Sequence, residues 1–320
     1  MIDRNSIVFV AGHNGMVGSA IVRELKKQGF NNLILKSHKE LDLTRQVDVE
    51  AFFEKERPDY VFLGAAKVGG ILANINYPAD FLYENLAIQD NIIFNSYKYG
   101  VKKLLFLGSS CIYPRLAPQP MKEEYLLDGK LEPTNEGYAL AKISGLKLCE
   151  YFYKQYNCNF VSVMPCNIFG YNDNFISKNS HVIPALIRKI HGAKVNKDNS
   201  IEIWGTGKAR RELLFADDLA DACMYVMNNY NNYEFLNVGM GIDFSISEIV
   251  DMICDIIGYD GKCEYDTTKP DGMPQKVLNV NKIKEIGWKY KTNIKDALKL
   301  TYNWYLDNIY NNSVVGGKYE

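Results

Sequence analysis

The order of apolar and amphipathic segments predicts an α/β fold: a doubly wound parallel sheet over the first half, then a smaller mixed α/β lobe. Two observations predict it. Short apolar runs alternate with helical patterns from the start of the chain, and near Pro165 this alternation gives way to loops rich in Asn, Gly and Lys.

The first apolar run, Ser6–Ala11, reads as a strand, followed by a helix over about Met16–Gln28 and a strand at Leu33–Lys36. Further strands are expected at Tyr60–Ala65, Leu104–Gly108 and Phe160–Met164. The helices between them are expected near Val47–Glu56, Ala79–Tyr99 and Tyr138–Tyr156. In the second half the pattern suggests a strand at Ile201–Trp204, helices near Asp217–Met227 and Ser247–Ile257, and a late strand at Phe235–Val238. The expected division is a nucleotide-binding domain over 1–165, to which residues 215–240 return, a substrate lobe over 166–310 and a frayed tail over 311–320.

With 37 basic and 38 acidic residues, the chain has no net field to draw it to nucleic acid or an anionic membrane, so small ligands are the expected partners. The N-terminal apolar run is too short for a membrane span and carries no cleavage-site pattern, which points to a cytoplasmic protein. Seven cysteines without a CxxC pair argue against a disulfide framework and against a bound metal.

Gly12-His-Asn-Gly15-Met-Val-Gly18 falls between the first strand and the first helix, where a dinucleotide diphosphate needs bare backbone and a helix N-terminus. Gly12, Asn14, Gly15, Met16, Val17 and Gly18 are therefore candidate cofactor contacts in a Rossmann-type domain. After the second strand comes Leu35-Lys36-Ser37-His38-Lys39 in place of an early acidic residue, a cationic patch that favours the 2′-phosphate of NADP(H); it also reads as a solvated turn. Asp42 follows, as an adenine contact or as the cap of the next helix.

A ketone reductase needs a proton donor at the carbonyl oxygen, and Tyr138 with Lys142 one helical turn later supplies one, the ammonium being expected to lower the phenol's pKa. The YxxxK spacing also occurs at Tyr99/Lys103 and Tyr265/Lys269. Only the middle pair opens a helix downstream of a strand that ends in hydroxyls, Gly108-Ser109-Ser110-Cys111, where Ser109 can donate a second hydrogen bond to the substrate oxygen.

The segments GHNGMVGSA, AAKVGGI, LLFLGSSCIYP, EPTNEGYALAKI, SHVIPAL, REL and KPDGMP resemble, in order and spacing, the GDP-L-fucose synthases of the extended short-chain dehydrogenase/reductase family. The resemblance implies NADPH-dependent reduction of a GDP-4-keto sugar at C4 with 3,5-epimerisation. Ser109, Tyr138 and Lys142 would be the catalytic triad, and Cys111 and His181 the acid–base pair for epimerisation. It places His38, Asp42, Lys142, Asn167 and His181 around the cofactor, and Lys189, Trp204, Arg211 and Asp271 around the sugar nucleotide, with Lys276 nearby. It also implies a homodimer built on the two long helices. Asn14 and His38 stand where familiar bacterial members carry arginine. Two other readings remain open: a reductase-only enzyme for a GDP-4-keto-heptose of capsule or lipopolysaccharide synthesis, and a non-catalytic NADP(H)-binding sensor. Cys111 and His181 also admit purely structural roles.

Overall fold

The computed structural model describes residues 1–176, 180–269 and 271–311; the expected tail therefore lies, beyond Asn311, outside the described residues. The N-terminal half runs β1 (Val8–Ala11), α1 (Met16–Lys27), β2 (Leu33–Ile34), α2 (Gln46–Glu56), β3 (Tyr60–Leu63), α3 (Ile71–Asn76), α4 (Pro78–Lys98), β4 (Lys103–Leu107), α5 (Glu136–Tyr156) and β5 (Phe160–Pro165). It continues with β6 (Asn167–Phe169), α6 (Val182–Asn196), β7 (Ser200–Trp204), β8 (Arg210–Phe215), α7 (Ala216–Asn229), β9 (Leu236–Val238), β10 (Asp243–Ser245) and α8 (Ile246–Ile257). The chain then forms β11 (Lys262–Asp266), β12 (Gln275–Lys276), α9 (Asn281–Glu285) and α10 (Ile294–Tyr305).

The main sheet has the order β2-β1-β3-β4-β5-β9, parallel throughout. Its central strands are continuous apolar runs because both faces are covered: α1 packs with α7, and α2, α4 and α5 pack together. Val8, Val10, Val61, Phe62, Leu104, Leu105, Val161 and Val163 are wholly buried. The order reverses at β1, which puts a crevice at the carboxyl ends of β1 and β3. α7 and β9 rejoin this layer after the chain has passed through β6, α6, β7 and β8.

The second lobe is built on β8, flanked antiparallel by β10 and parallel by β12 and β6, with β7 and β11 as a separate parallel pair. Its own core joins Ile187 and Ile190 of α6, Ile249 and Ile253 of α8, and Leu298 and Tyr305 of α10. α8 carries a full capping box, with Ser245 and Glu248 each binding the other's backbone N–H, and ends on Gly258 at φ 71°. Among the described residues no helix is long and apolar enough to cross a membrane.

Candidate active site

The carboxyl ends of the main-sheet strands and the facing edge of the second lobe enclose one cleft of ≈ 1050 Å³. On its floor the glycine turn is fixed by close approach. Gly12 has φ 85°, and a Cβ there would lie 2.7 Å from the Ala65 nitrogen; a Cβ on Gly18 would lie 2.1 Å from the Gly12 carbonyl oxygen. α1 therefore starts directly over the turn. Gly15 caps it without a side-chain hydrogen bond, so the first-turn N–H groups face the cleft as an anion site. His13 adds a buried Nδ1 with no hydrogen-bond partner. A dinucleotide diphosphate fits this cradle. Asn14, Gly15, Met16 and Val17 line it, as do Lys36, Ser37, His38 and Asp42 farther along. The Asp42 carboxylate accepts from Thr44 N (3.0 Å) and Oγ1 (2.7 Å), which lowers its pKa, and lies 3.9 Å from His38 Nδ1.

Ser109, Tyr138 and Lys142 share the same cleft. Ser109 ends the β4 segment and its Oγ accepts from Cys111 N at 3.4 Å. Tyr138 and Lys142 lie one turn apart near the start of α5, with the ammonium 5.8 Å from the phenol ring centroid. Lys142 is buried and donates to the Leu107 carbonyl at 2.8 Å; desolvation pushes its pKa down to about 8. The expectation that this ammonium lowers the pKa of Tyr138 is corrected here. Burial dominates and drives the phenol's pKa up, the Ser109 hydroxyl offsetting it only in part. The resting residue is a neutral phenol, the protonation state that a proton donor requires.

The other two YxxxK pairs are structural. Lys103 is buried in β4 and donates to the carbonyls of Val226, Met227 and Tyr230, capping the end of α7. Tyr265 and Lys269 sit on and just after β11, with the Lys269 ammonium 5.7 Å from the Trp204 ring centroid.

Cys111 is buried and does not itself line the cleft, although its neighbours Ser109 and Ser110 do; desolvation raises the thiol pKa against the pull of Lys276, Ser109 and Lys142. His181 does line the cleft, at the N-terminus of α6, with Nδ1 3.8 Å from the buried Asp173 carboxylate, which raises the pKa of the ring. Asn167 reaches the cleft and donates to the Glu212 carbonyl at 3.0 Å.

Of the sugar-nucleotide candidates, Arg211 and Trp204 line the cleft. Arg211 is held by the carbonyls of Met273 (2.6 Å) and Asp271 (3.2 Å), and Trp204 is 61% exposed. Asp271 stands behind them, its carboxylate taken by Thr206 N and Oγ1. Lys189 points away, exposed on α6 and outside the cleft lining. Lys276, opposite Arg211 in the β12–β8 register, lines the cleft half-buried.

Lys67 and Asp173 are absent from the expected site. Lys67 follows β3, lines the cleft and pairs with Glu84 at 2.5 Å, while Asn85 clasps its backbone on both sides. Its signal was position: a polar residue just beyond the carboxyl end of a parallel strand.

Residues 8–239 match the NAD dependent epimerase/dehydratase family. The chain is 53% identical over 311 residues to GDP-L-fucose synthase 1 of Arabidopsis thaliana, covering 97% of this chain and 96% of that one. Among solved structures, a GDP-6-OMe-4-keto-L-xylo-heptose reductase from C. jejuni superposes with a TM-score of 0.91 at 40% identity, covering 96% and 99% of the two chains. A GDP-L-fucose synthetase from Naegleria fowleri, bound to NADP, gives 0.90 at 30%, covering 96% and 95%.

Proposed function

The chain belongs to the NAD dependent epimerase/dehydratase family, and on that premise we propose that it uses NADPH to reduce the C4 ketone of a GDP-4-keto sugar after epimerising C3 and C5. The observation that carries this reading is the meeting of the glycine turn, Ser109, Tyr138, Lys142 and His181 in one cleft.

Gly12, Gly15 and Gly18 let α1 present its first-turn N–H groups to the cofactor diphosphate, and Lys36, Ser37 and His38 supply the polar wall beside the adenosine ribose. When bound, NADPH supplies the hydride for C4. Tyr138 gives its proton to the ketone oxygen as charge develops there, and Ser109 donates a second hydrogen bond. The buried Lys142 ammonium stabilises the phenolate left behind. Before reduction, the C4 ketone acidifies the hydrogens at C3 and C5. Cys111, whose burial Lys276, Ser109 and Lys142 offset in part, is the proposed base on one face, a role that requires its thiol to reach past the cleft-lining Ser109 and Ser110, and His181 returns a proton on the other. Arg211 and Lys276 hold the GDP diphosphate and Trp204 offers the base an exposed ring.

The enzyme is proposed as a cytoplasmic homodimer. All seven cysteines are free thiols, which suits a reducing compartment. Tyr83 and Phe94 on α4 and Leu140 and Tyr151 on α5 are exposed, and in each pair the spacing returns to one helix face, an apolar surface for a second copy. A monomeric sedimentation mass would refute the dimer.

The test is incubation in deuterated water with GDP-4-keto-6-deoxymannose and NADPH, followed by NMR of the product. Deuterium at C3 and C5 with C4 reduced is expected, and Tyr138→Phe must abolish NADPH oxidation. The similarity to the C. jejuni heptose reductase favours a second reading, reduction of a GDP-4-keto-heptose alone. That reading predicts a reduced C4 without deuterium at C3 or C5.

A further inference from the structure

Asp173, four residues beyond β6, places a buried carboxylate 3.8 Å from the His181 ring. We infer that Asp173 is the positioning residue of His181: its carboxylate accepts from Nδ1–H and leaves Nε2 as the nitrogen that works in the cleft. The inference rests on the acid–base role of His181 proposed above and adds to it the group that orients and charges the ring.

Asp173 is fixed from several sides. Its N–H reaches the Gly170 carbonyl at 3.4 Å, and the next backbone N–H, of Asn174, binds its Oδ1 at 2.8 Å. Neighbouring Asn172 donates to Ser19 on α1 at 2.9 Å, and Arg188 of α6 donates to the Phe175 and Ile176 carbonyls at 3.0 and 2.9 Å. The Asp173 side chain is 4% exposed, and its Oδ2 is buried without a hydrogen-bond partner. A buried carboxylate oxygen left unpaired is costly unless a donor comes to it. Among the described residues, the side-chain donor within ion-pair range of this carboxylate is His181 Nδ1, 3.8 Å from Oδ1, the oxygen that also accepts from the Asn174 N–H.

His181 caps α6 with its backbone alone (φ −66°, ψ 168°) and makes no side-chain cap hydrogen bond, so the ring is not used by its own helix. The positive end of the helix disfavours an imidazolium there. Asp173 works against that end, and its nearby carboxylate raises the pKa of the ring against the partial desolvation. Among the described residues no other charged group shifts it: Arg188 is turned to the two carbonyls, and although the cleft walls also carry Tyr138, Lys142, Lys276, Arg211, Lys67 and Glu84, among other titratable groups, Asp173 is the charge that moves the ring's pKa.

In the epimerisation step the Nε2–H bond breaks and a C–H bond forms at the carbon of the enolate, whose electron pair makes that bond as the C4 carbonyl re-forms. The ring is left neutral, its Nδ1 still carrying a proton and directed at the Asp173 carboxylate. Half-exposed, it takes its next proton from water.

The test is an NMR titration of the full chain with ¹³C-labelled histidine, the His181 signal assigned by His181→Gln. Wild-type His181 should titrate above the ordinary histidine value of about 6.5; Asp173→Asn should lower the midpoint, and Asp173→Glu should restore it in part. Deuterium exchange into GDP-4-keto-6-deoxymannose at about pH 7.5 should fall roughly tenfold or more in Asp173→Asn with NADPH binding retained, since each pH unit of lost basicity costs about tenfold in the charged form. The double variant with His181→Gln should lose no more than His181→Gln alone. An unchanged midpoint in Asp173→Asn overturns the inference. A wild type that exchanges neither carbon overturns the epimerase reading, and the titration then decides Asp173 by itself.

Discussion

Gly18→Ala isolates the close packing on which the cofactor cradle depends. The added Cβ would sit 2.1 Å from the Gly12 oxygen, 2.6 Å from the Gly12 carbon and 2.9 Å from the His13 Cα, all backbone. The shortest of these is about 0.9 Å below the 3.0 Å that real Cβ atoms respect, so α1 or the turn must move by nearly that much. Overpacking of this kind costs about 1–3 kcal/mol. Because the displaced atoms are those that receive the diphosphate, NADPH affinity should fall at least tenfold, about 1.4 kcal/mol. Gly15→Ala is the control: its Cβ would meet the Gly12 oxygen at 3.4 Å, and no left-handed φ is involved. It should leave stability within about 0.5 kcal/mol. Thermal unfolding and NADPH fluorescence titration of both variants test this. A Gly18→Ala protein with wild-type stability and affinity would refute the argument that backbone contact sets the cradle.

Lys276→Met should raise the melting temperature while weakening GDP binding about tenfold by calorimetry. Lys276 is a half-buried ammonium with no hydrogen-bond or ion-pair partner among the described residues, which burdens the free enzyme and serves a bound anion. A fall in both properties would make it structural. Glu212, wholly buried and accepting from the Gly241 and Leu278 N–H groups, has its pKa pushed up to about 7 by burial. Its folded value lies above the unfolded one, so the stability it contributes is present in acid and lost as pH rises through about 7. The melting-temperature advantage of wild type over Glu212→Gln should therefore narrow between about pH 5 and about pH 8, and a widening would contradict the assignment. Lys103→Met should cost roughly 1–3 kcal/mol in chemical denaturation without changing NADPH affinity, since it strands the carbonyls at the end of α7 far from the cradle.

The parallel sheet was legible because strands covered on both faces are apolar without interruption; β1, β3, β4 and β5 fall within a residue or two of the expected runs. β2 is shorter than Leu33–Lys36 suggested: Lys36 has already left the sheet to line the cleft. The second lobe was harder to read. β8 begins Arg210-Arg211-Glu212, which resembles a solvated loop until Glu212 is seen wholly buried under two backbone N–H groups. β10 and β12 are three and two residues long and exist only through pairing with β8. In the site, the glycine turn and Tyr138/Lys142 showed themselves by local spacing. The protonation state of Tyr138 did not, because burial is set by the whole fold. Nor did Asp173 or Lys67, whose roles follow from segments brought together across the cleft.

Trp204 makes the chain its own optical probe. Of the three tryptophans, Trp288 is buried with its indole N–H on Asp221 at 2.9 Å, and Trp304 lies among the rings of Tyr171 and Phe175. Trp204 stands exposed on the cleft wall. The red edge of the emission spectrum thus belongs to the second lobe, and a purine settling on that ring, as proposed above, would darken it without disturbing the other two. With the oxidised cofactor bound, filling of the proposed sugar-nucleotide half of the cleft can then be followed in the unlabelled protein and on the timescale of mixing.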